Sequence, residues 1–294
     1  MGQEALHGAR DRRARVRPLG RTRAAGVRKT DLEGLNPHPR LDHAVALTRA
    51  AGTIAMRFFR QDPERWEKTP GAIVTEADIA IDRLLRAELP LGDEAWLSEE
   101  SPDDEIRLRA EHVWIVDPID GTRSYALGRP EFAISVALWD RSAKGVVLGI
   151  VLNPATDELF VAIRGGGVWL NGIALQVRPW SPDTATELLV SGREAKQAQL
   201  DRHFATCRIR GLGSLAYRLA LVATGRADGL VSLRRVADWD LAAAVLMVEE
   251  GGGRVTDRHG RSLRLNRPTA QHDGLVVGQP PLHDRLQNVI AALG

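Results

Sequence analysis

Three short acidic segments in this 294-residue sequence each lie where a regular element is expected to meet a loop. One pair of glutamates follows a short apolar stretch, one pair of aspartates flanks a proline after an apolar run, and a third pair precedes a helical pattern: Glu99 and Glu100, Asp117 and Asp120, and Asp238 and Asp240. Mg²⁺ and Ca²⁺ prefer carboxylate oxygens, and the eight histidines show no metal-ligand spacing. Together the segments predict a divalent-cation site.

The central segment, Asp117-Pro118-Ile119-Asp120-Gly121, has the most specific geometry. Pro118 cannot donate to a sheet ladder and Gly121 permits backbone conformations closed to other residues, so we expect the strand to end there. Both carboxylates and the Ile119 carbonyl can then converge on one cation. The alternative is a turn in which the aspartates accept bonds from nearby N–H groups. Likewise, the other two segments can be a solvated acidic turn and a helix cap.

Hydrophobic periodicity predicts helices first and strands later. Apolar residues recur at helical spacing near the start, strands dominate from residue 113, and strands alternate with helices after residue 181. Helices are expected at residues 44–58, from the capping-box pattern Thr75-Glu76-Ala77-Asp78 onward, at 214–224 and at 241–250. This order predicts a layered α/β protein with an N-terminal half over 37–181 and a C-terminal half over 182–294.

Composition restricts the class of protein. Hydrophobic residues at 44% and charged residues at 27% are ordinary for a globular chain, and no apolar run approaches the ~18 residues of a membrane span. The single cysteine excludes an internal disulfide and fits a cytoplasmic location. Residues 1–30 carry nine Lys/Arg against two acids, so 1–36 is predicted to be a disordered basic extension. It lacks interleaved aromatic residues, and a nucleic-acid partner is therefore not expected.

The acidic segments also resemble a known family. Glu99-Glu100, the run "DPIDGT" from Asp117, and Trp239-Asp240 are similar in order and spacing to the signature of the inositol monophosphatase superfamily of magnesium-dependent, lithium-sensitive phosphatases. The resemblance implies a five-layer α-β-α-β-α sandwich, usually a homodimer, with the metal site between the two halves. It also implies two or three Mg²⁺ ions per site, bridged by Asp117. The implied metal ligands are Glu99, Asp117, the carbonyl of Ile119, Asp120 and Asp240.

The same resemblance implies roles for residues outside the metal ligands. Thr122 and Asp78 match the pair that activates the water nucleophile, although the capping box alone also explains Asp78. Lys68 matches a basic residue close to the metals. Gly121 and Thr122, together with Gly213 and Ser214 at a helix N-terminus, are expected to contact the phosphate or a hydroxyl of the substrate.

The substrate is the least constrained prediction. Inositol-phosphate enzymes have an acidic residue seven positions before the aspartate of the WD motif, and here that position is Leu233, which cannot accept a hydrogen bond from a sugar. Arg234 and Arg235 follow, and guanidinium groups suit a second phosphate. Together with a similarity of "LSEES" and "GRPEF" to bisphosphate nucleotidases, this favours a 3'(2'),5'-bisphosphate nucleotide such as 3'-phosphoadenosine 5'-phosphate. The alternatives are inositol 1-phosphate or another sugar phosphate, and a non-catalytic protein that binds metal or nucleic acid.

Overall fold

A computed structural model describes residues 38–61, 63–69, 72–177, 179–196 and 203–292. The helices are α1 (Leu41–Phe58), α2 (Glu76–Glu88), α3 (Thr122–Ala126), α4 (Leu215–Ala223), α5 (Asp238–Glu250) and α6 (Pro280–Ala291). The strands are β1 (Arg65–Thr69), β2 (Ala72–Thr75), β3 (Ala95–Ser98), β4 (His112–Asp120), β5 (Ala133–Asp140), β6 (Gly145–Asn153), β7 (Glu158–Ile163), β8 (Gly167–Leu170), β9 (Ile173–Leu175), β10 (Thr186–Ser191), β11 (Cys207–Leu212), β12 (Gly229–Ala237), β13 (Arg254–Thr256) and β14 (Gln271–Gly278).

The larger sheet has seven strands in the order β3 to β9, with β3 and β4 parallel and the other neighbours antiparallel. Strands β4 to β7 read as nearly unbroken apolar runs because helices cover both of their faces. The turn between β8 and β9 is Asn171-Gly172, and both residues have positive φ, as a tight hairpin turn requires.

One strand continues further than the sequence predicted. We expected β4 to end at Pro118, but it runs to Asp120, with Asp117 paired to Ser135 and Asp120 paired to Ala133. The register shifts between the two aspartates, so the missing N–H of the proline falls within a bulge instead of a regular ladder.

The smaller sheet has five strands in the order β11-β10-β12-β14-β13. Helices α4 and α5 lie between this sheet and the larger one, α1 and α2 cover the outer face of the larger sheet, and α6 covers the outer face of the smaller one. The predicted five-layer α-β-α-β-α sandwich is therefore confirmed. Helix α5 begins at Asp238, earlier than the predicted 241, which places both of its aspartates in the first turn.

Three apolar cores hold the layers together. The central core surrounds α4 and α5, and their almost entirely buried side chains explain why these helices lack an amphipathic pattern. The second core lies between α1, α2 and the larger sheet, and the third lies under α6. The proposed boundary near residue 181 falls in the connection from β9 to β10, but α4 and α5 pack on both sheets, so the two halves share the central core.

Within the described ranges, no helix combines the length and the apolar character needed to cross a membrane. The basic extension over 1–36 lies outside the described residues.

Candidate active site

The register of the parallel β3–β4 pair brings the first two acidic segments together. Ser98 pairs with Val116, so Glu99 and Asp117, the next residue on each strand, lie side by side where the parallel strands point the same way. Sequence spacing alone could not show this, because nothing in the two segments states which strands are neighbours.

The third segment is fixed against the same strand pair. Ser135, which faces Asp117 across the β4–β5 ladder, donates its hydroxyl to the carbonyl of Trp239 at 3.1 Å. The first turn of α5 is thereby held over the aspartate, and Asp240 points into the group. Ligand oxygens of Glu99, Asp117 and Asp240 all lie within 4.8 Å of one another.

Asp117 gives the clearest indication of a cation site. Its side chain is 1% exposed, Oδ1 accepts a bond from the N–H of Ile119 at 3.0 Å, and Oδ2 has no hydrogen-bond partner. Burial, and then the nearby charge of Glu99, raise the pKa of Asp117 well above its ordinary value. A buried carboxylate oxygen without a partner is costly, and a divalent cation between these three acids satisfies it. The residues therefore fit an oxygen-ligated metal.

Asp120 lies beside this group and also ties β4 to the N-terminus of α4. Its Oδ2 accepts bonds from the Ser214 hydroxyl at 2.6 Å and from the N–H of Ala216. Ser214 is the N-cap of α4 and accepts the N–H of Tyr217 at 3.0 Å. Burial raises the pKa of Asp120, although the bond from Ser214 acts in the opposite direction.

Asp78 and Thr122 meet close to the acids. The Asp78 Oδ2 accepts the N–H of Thr75 at 2.9 Å, as the predicted capping box requires, while Oδ1 lies 3.4 Å from the Thr122 hydroxyl. That hydroxyl is also 2.9 Å from the carbonyl oxygen of Ile119. The capping and the catalytic interpretations of Asp78 are thus compatible, because they use different oxygens. Burial raises the pKa of Asp78 to about 7, close to the value at which a carboxylate can accept a proton in neutral solution.

Sequence reasoning missed Asp82, which supports the segment that carries Glu99. Its two oxygens accept the hydroxyls of Ser98 and Ser101, both at 2.6 Å, on either side of the glutamate pair. A usable signal existed: Asp82 follows Asp78 by four residues, so both face the same side of α2.

The acids open into a cleft of about 740 Å³ between the two sheets. Four of its lining residues are arginines that make no ion pair with any described acidic residue: Arg123, Arg129, Arg193 and Arg234. The predicted site residues among its lining are Glu99, Asp120, Gly121, Thr122, Gly213 and Asp240. We refer to this space as the cleft. Three of these arginines, Arg123, Arg129 and Arg193, were not predicted as site residues. Arg123 directly follows "DPIDGT" and Arg129 lies within "GRPEF", so a signal existed for those two.

One predicted substrate residue, Arg235, is placed differently, and the prediction for Lys68 stays untested. Arg235 does not face the cleft; it lines a separate cavity of about 590 Å³ and pairs with Asp273 on the neighbouring strand. Successive residues of a strand point to opposite faces, so Arg234 and Arg235 could not both line one site. Lys68 lies in β1, and its side chain is outside the part that the structure describes.

A pH-dependent response to metal is expected from these acids. Burial raises the pKa of Asp78 and of Asp240 to about 7, whereas an unfolded aspartate titrates near ~3.9. A raised folded-state pKa stabilises the metal-free protein at low pH, and this contribution is lost as pH rises from about 4 to about 7. Mg²⁺ must displace those protons, so its stabilising effect is expected to grow over the same window.

The measurement is a thermal-unfolding series from pH 5 to pH 8 in EDTA and in excess Mg²⁺. The difference in Tm between the two conditions should be small at pH 5 and largest at pH 8. A difference that does not change with pH would contradict the assignment of Asp240 as a metal ligand with the buried Asp78 close to the metal.

The fold agrees with comparisons to known proteins. A model of the inositol monophosphatase family matches residues 36–293. An inositol-1-monophosphatase of Rhizobium meliloti is 42% identical over 235 residues, which cover 76% of this chain and 84% of that protein. A fructose-1,6-bisphosphatase/inositol-1-monophosphatase of Thermotoga maritima is 33% identical over 261 residues, covering 85% of this chain and 95% of that protein. Other relatives, 32% and 33% identical, are named histidinol-phosphatase (Chlorobaculum parvum) and Nus factor SuhB (Pasteurella multocida).

Solved structures share the architecture. The extragenic suppressor protein suhB of Bartonella henselae superposes with a TM-score of 0.74 at 29% identity, covering 85% of this chain and 97% of that one. The layered fold and the acid group define a phosphoric monoester hydrolase. The chain belongs to the inositol monophosphatase family.

Proposed function

We propose that this protein is a Mg²⁺-dependent phosphomonoesterase that hydrolyses a small phosphate ester in the cleft. Two observations support this most strongly: the buried Oδ2 of Asp117 has no hydrogen-bond partner, and Asp117 offers a ligand oxygen within 4.8 Å of those of Glu99 and Asp240. An oxygen-only ligand set of this kind suits Mg²⁺. With the Ile119 carbonyl and Asp120 beside the group, we propose two or three ions per site.

The chain's own residues supply proton transfer and orientation. When bound, the metal polarises the phosphoryl oxygens and lowers the pKa of water. Thr122 can hold an attacking water by its hydroxyl and pass a proton to Oδ1 of Asp78, whose pKa near 7 leaves part of it ionised at neutral pH. Gly121 and Gly213 are proposed to contact the phosphate, because both line the cleft. The predicted contact by Ser214 is not retained, because Ser214 is buried and donates its hydroxyl to Asp120 and its N–H to the carbonyl of Glu131.

For the substrate we propose an ester with a second phosphate group, with 3'-phosphoadenosine 5'-phosphate as the first candidate. Four cleft arginines without an acidic partner among the described residues favour an anion beyond the one that is hydrolysed. The same arginines repel the amine of histidinol phosphate, the substrate that one relative's name indicates. The name of the Thermotoga maritima relative makes fructose 1,6-bisphosphate the second candidate of this class.

Inositol 1-phosphate is the competing candidate, and the name of the Rhizobium meliloti relative favours it. A phosphate-release assay in Mg²⁺ with four substrates separates these proposals: 3'-phosphoadenosine 5'-phosphate, fructose 1,6-bisphosphate, inositol 1-phosphate and histidinol phosphate. We expect the highest kcat/KM with one of the two bisphosphates. A preference for inositol 1-phosphate would overturn the substrate proposal and leave the reaction class in place.

Replacing Arg234 by alanine should weaken binding of a bisphosphate selectively. We expect KM for the preferred bisphosphate to rise about 10–100-fold, or about 1.4–2.8 kcal/mol, with little change for a monophosphate. Arg235→Ala is the matched control, because Arg235 is the next residue on the same strand but lines another cavity. Steady-state kinetics on both variants decide the point, and equal effects of the two substitutions would count against a phosphate contact by Arg234.

A second candidate function, binding without catalysis, is favoured by the relative named Nus factor SuhB. Binding without catalysis predicts that no substrate of the panel releases phosphate while Mg²⁺ still raises Tm. The pairing of the Asp78 carboxylate with the Thr122 hydroxyl supports the catalytic proposal. Metal binding alone does not need a hydroxyl 3.4 Å from a titratable buried acid.

We further propose a homodimer in the cytoplasm. The single cysteine supports the location. Large apolar side chains at the surface, with Ile173 68% and Leu127 57% exposed, support a subunit contact.

A further inference from the structure

Glu194 is a buried carboxylate that the proposed reaction does not use. It lies in the segment after β10 and is 1% exposed, although it directly follows Arg193, which is exposed and lines the cleft. A glutamate is almost never fully buried unless it is paired or hydrogen-bonded, so its contacts show what it stabilises.

The two oxygens of Glu194 bind two different segments of the chain. Oε2 accepts the N–H of Ser191, at 3.2 Å, within its own loop. Oε1 accepts the N–H of Leu233 at 2.8 Å and the hydroxyl of Ser232 at 3.2 Å, both on β12. One side chain therefore ties the loop after β10 to the strand that carries Arg234.

A bulge explains why β12 needs this partner. The pairing of β12 with β14 shifts register between Ser232 and Arg235, so Leu233 and Arg234 stand outside the regular ladder. The N–H of Leu233, which the ladder does not bind, is satisfied by Glu194. Arg234 faces the cleft, while Arg235, back in the ladder on the opposite face of the strand, lines the other cavity.

A buried cation balances the charge of Glu194. Arg218 on α4 is 4% exposed, donates through Nε to the carbonyls of Gly213 and Ser214, and interacts electrostatically with Glu194 and Asp120. The Arg218 guanidinium offsets the cost of burying the Glu194 carboxylate, and both carboxylate oxygens act as acceptors. A glutamine cannot replace it without turning one of the two acceptors into a donor.

We infer that Glu194 is a positioning residue for substrate specificity: it holds the segments of Arg193 and Arg234 together so that both guanidinium groups grip a second phosphate on the substrate. Arg193 directly precedes Glu194, and Arg234 directly follows Leu233, whose N–H bonds to Glu194. This inference rests on the proposed function, because it assumes a phosphate ester in the cleft. Glu194 does not touch the reacting atoms and acts only through the two arginines.

The test compares Glu194→Gln with wild type on two matched probes, 3'-phosphoadenosine 5'-phosphate and adenosine 3'-phosphate, which lacks only the second phosphate. We expect KM for the bisphosphate to rise about tenfold while kcat changes less than about twofold, and both constants for the monophosphate to stay within about twofold. Glu187→Gln is the control: Glu187 pairs with Arg210 on the same sheet outside the cleft, and its loss should leave the ratio of the two kcat/KM values unchanged.

Two further variants keep the result decisive. If Glu194→Gln does not fold, Glu194→Asp retains the charge beside Arg218 but is one methylene too short to reach both segments, and it should show the same selective rise in KM. In an Arg193→Ala/Arg234→Ala background, Glu194→Gln should add no further loss of discrimination.

The outcomes separate the inference from the function on which it rests. A wild type that discriminates between the probes and a folded Glu194 variant that discriminates equally well would overturn the inference alone. A further loss in the double-arginine background would also overturn it, since Glu194 would then act by another route. A wild type that releases phosphate from neither probe nor from any other substrate of the panel would overturn the proposed function. One that acts on inositol 1-phosphate or histidinol phosphate but on neither bisphosphate, or that releases phosphate from both probes equally, would overturn the second-phosphate site.

Discussion

Asp117→Asn is expected to lower kcat by about three orders of magnitude or more while the protein stays folded. The amide has nearly the shape of the carboxylate but removes the charge that holds the cations, and several kcal/mol of charge stabilisation are lost with them. Because Oδ2 of Asp117 has no hydrogen-bond partner in the chain, the substitution breaks no hydrogen bond at that atom.

The stability of this variant gives a second, independent readout. In the metal-free protein, burial and the charge of Glu99 raise the pKa of Asp117, so removing its charge relieves repulsion and Tm in EDTA should not fall. Mg²⁺ at a hundred times its Kd stabilises a protein by ~2.7 kcal/mol, and this gain should vanish in the variant.

Asp140→Asn serves as the control. Asp140 lies at the opposite end of β5 from the site, and its Oδ1 accepts hydrogen bonds from Ser142 and Ala143 in its own turn. It should keep wild-type kcat and the Mg²⁺-dependent rise in Tm. An Asp117→Asn protein with unchanged turnover would contradict the metal assignment.

Gly213→Ala is expected to reduce both activity and stability. A Cβ at this position would lie 2.5 Å from the carbonyl oxygen of Glu131 and would also collide with the Ser124 hydroxyl, and the backbone carbonyl cannot yield. Overpacking of this kind costs about 1–3 kcal/mol. The displaced segment includes Ser214, whose hydroxyl donates to Asp120 at 2.6 Å, so we expect kcat to fall about 10–100-fold.

Gly192→Ala is the steric control for Gly213→Ala. Gly192 lines the same cleft, but a Cβ there meets no heavy atom within 4 Å. Thermal unfolding of the two variants is the comparison: Tm should fall by several degrees for Gly213→Ala and stay close to wild type for Gly192→Ala. Equal Tm values would show that the close approach at Gly213 does not occur in solution.

Much of the site could be predicted because its chemistry lies in short, local patterns. The capping box at Thr75 formed as expected, and the three acidic segments met, since each stands at the end of an element on the same side of the larger sheet. Local patterns do not show which strands pair with each other in the sheet. The meeting of Glu99 with Asp117 depends on which strands are neighbours, and no residue of either segment encodes that pairing.

Both errors concern strands. Pro118 was expected to end β4, but a bulge absorbs the missing N–H, and the strand continues to Asp120. The sequence analysis grouped Arg234 and Arg235 in one subsite, although successive residues of β12 point to opposite faces. The alternation of side chains along a strand was available as a warning for the arginines, but Glu194 was not predictable, because its partners on β12 are 38 and 39 residues away in the chain.

The central claim is that this chain cleaves a phosphate monoester only with a cation bound among Glu99, Asp117 and Asp240. The most direct measurement is phosphate release by the purified wild type from the preferred substrate, first in Mg²⁺, then in excess EDTA, and again after Mg²⁺ is restored. We predict release in Mg²⁺, its loss in EDTA and its full recovery. Release that continues unchanged in EDTA would contradict the account.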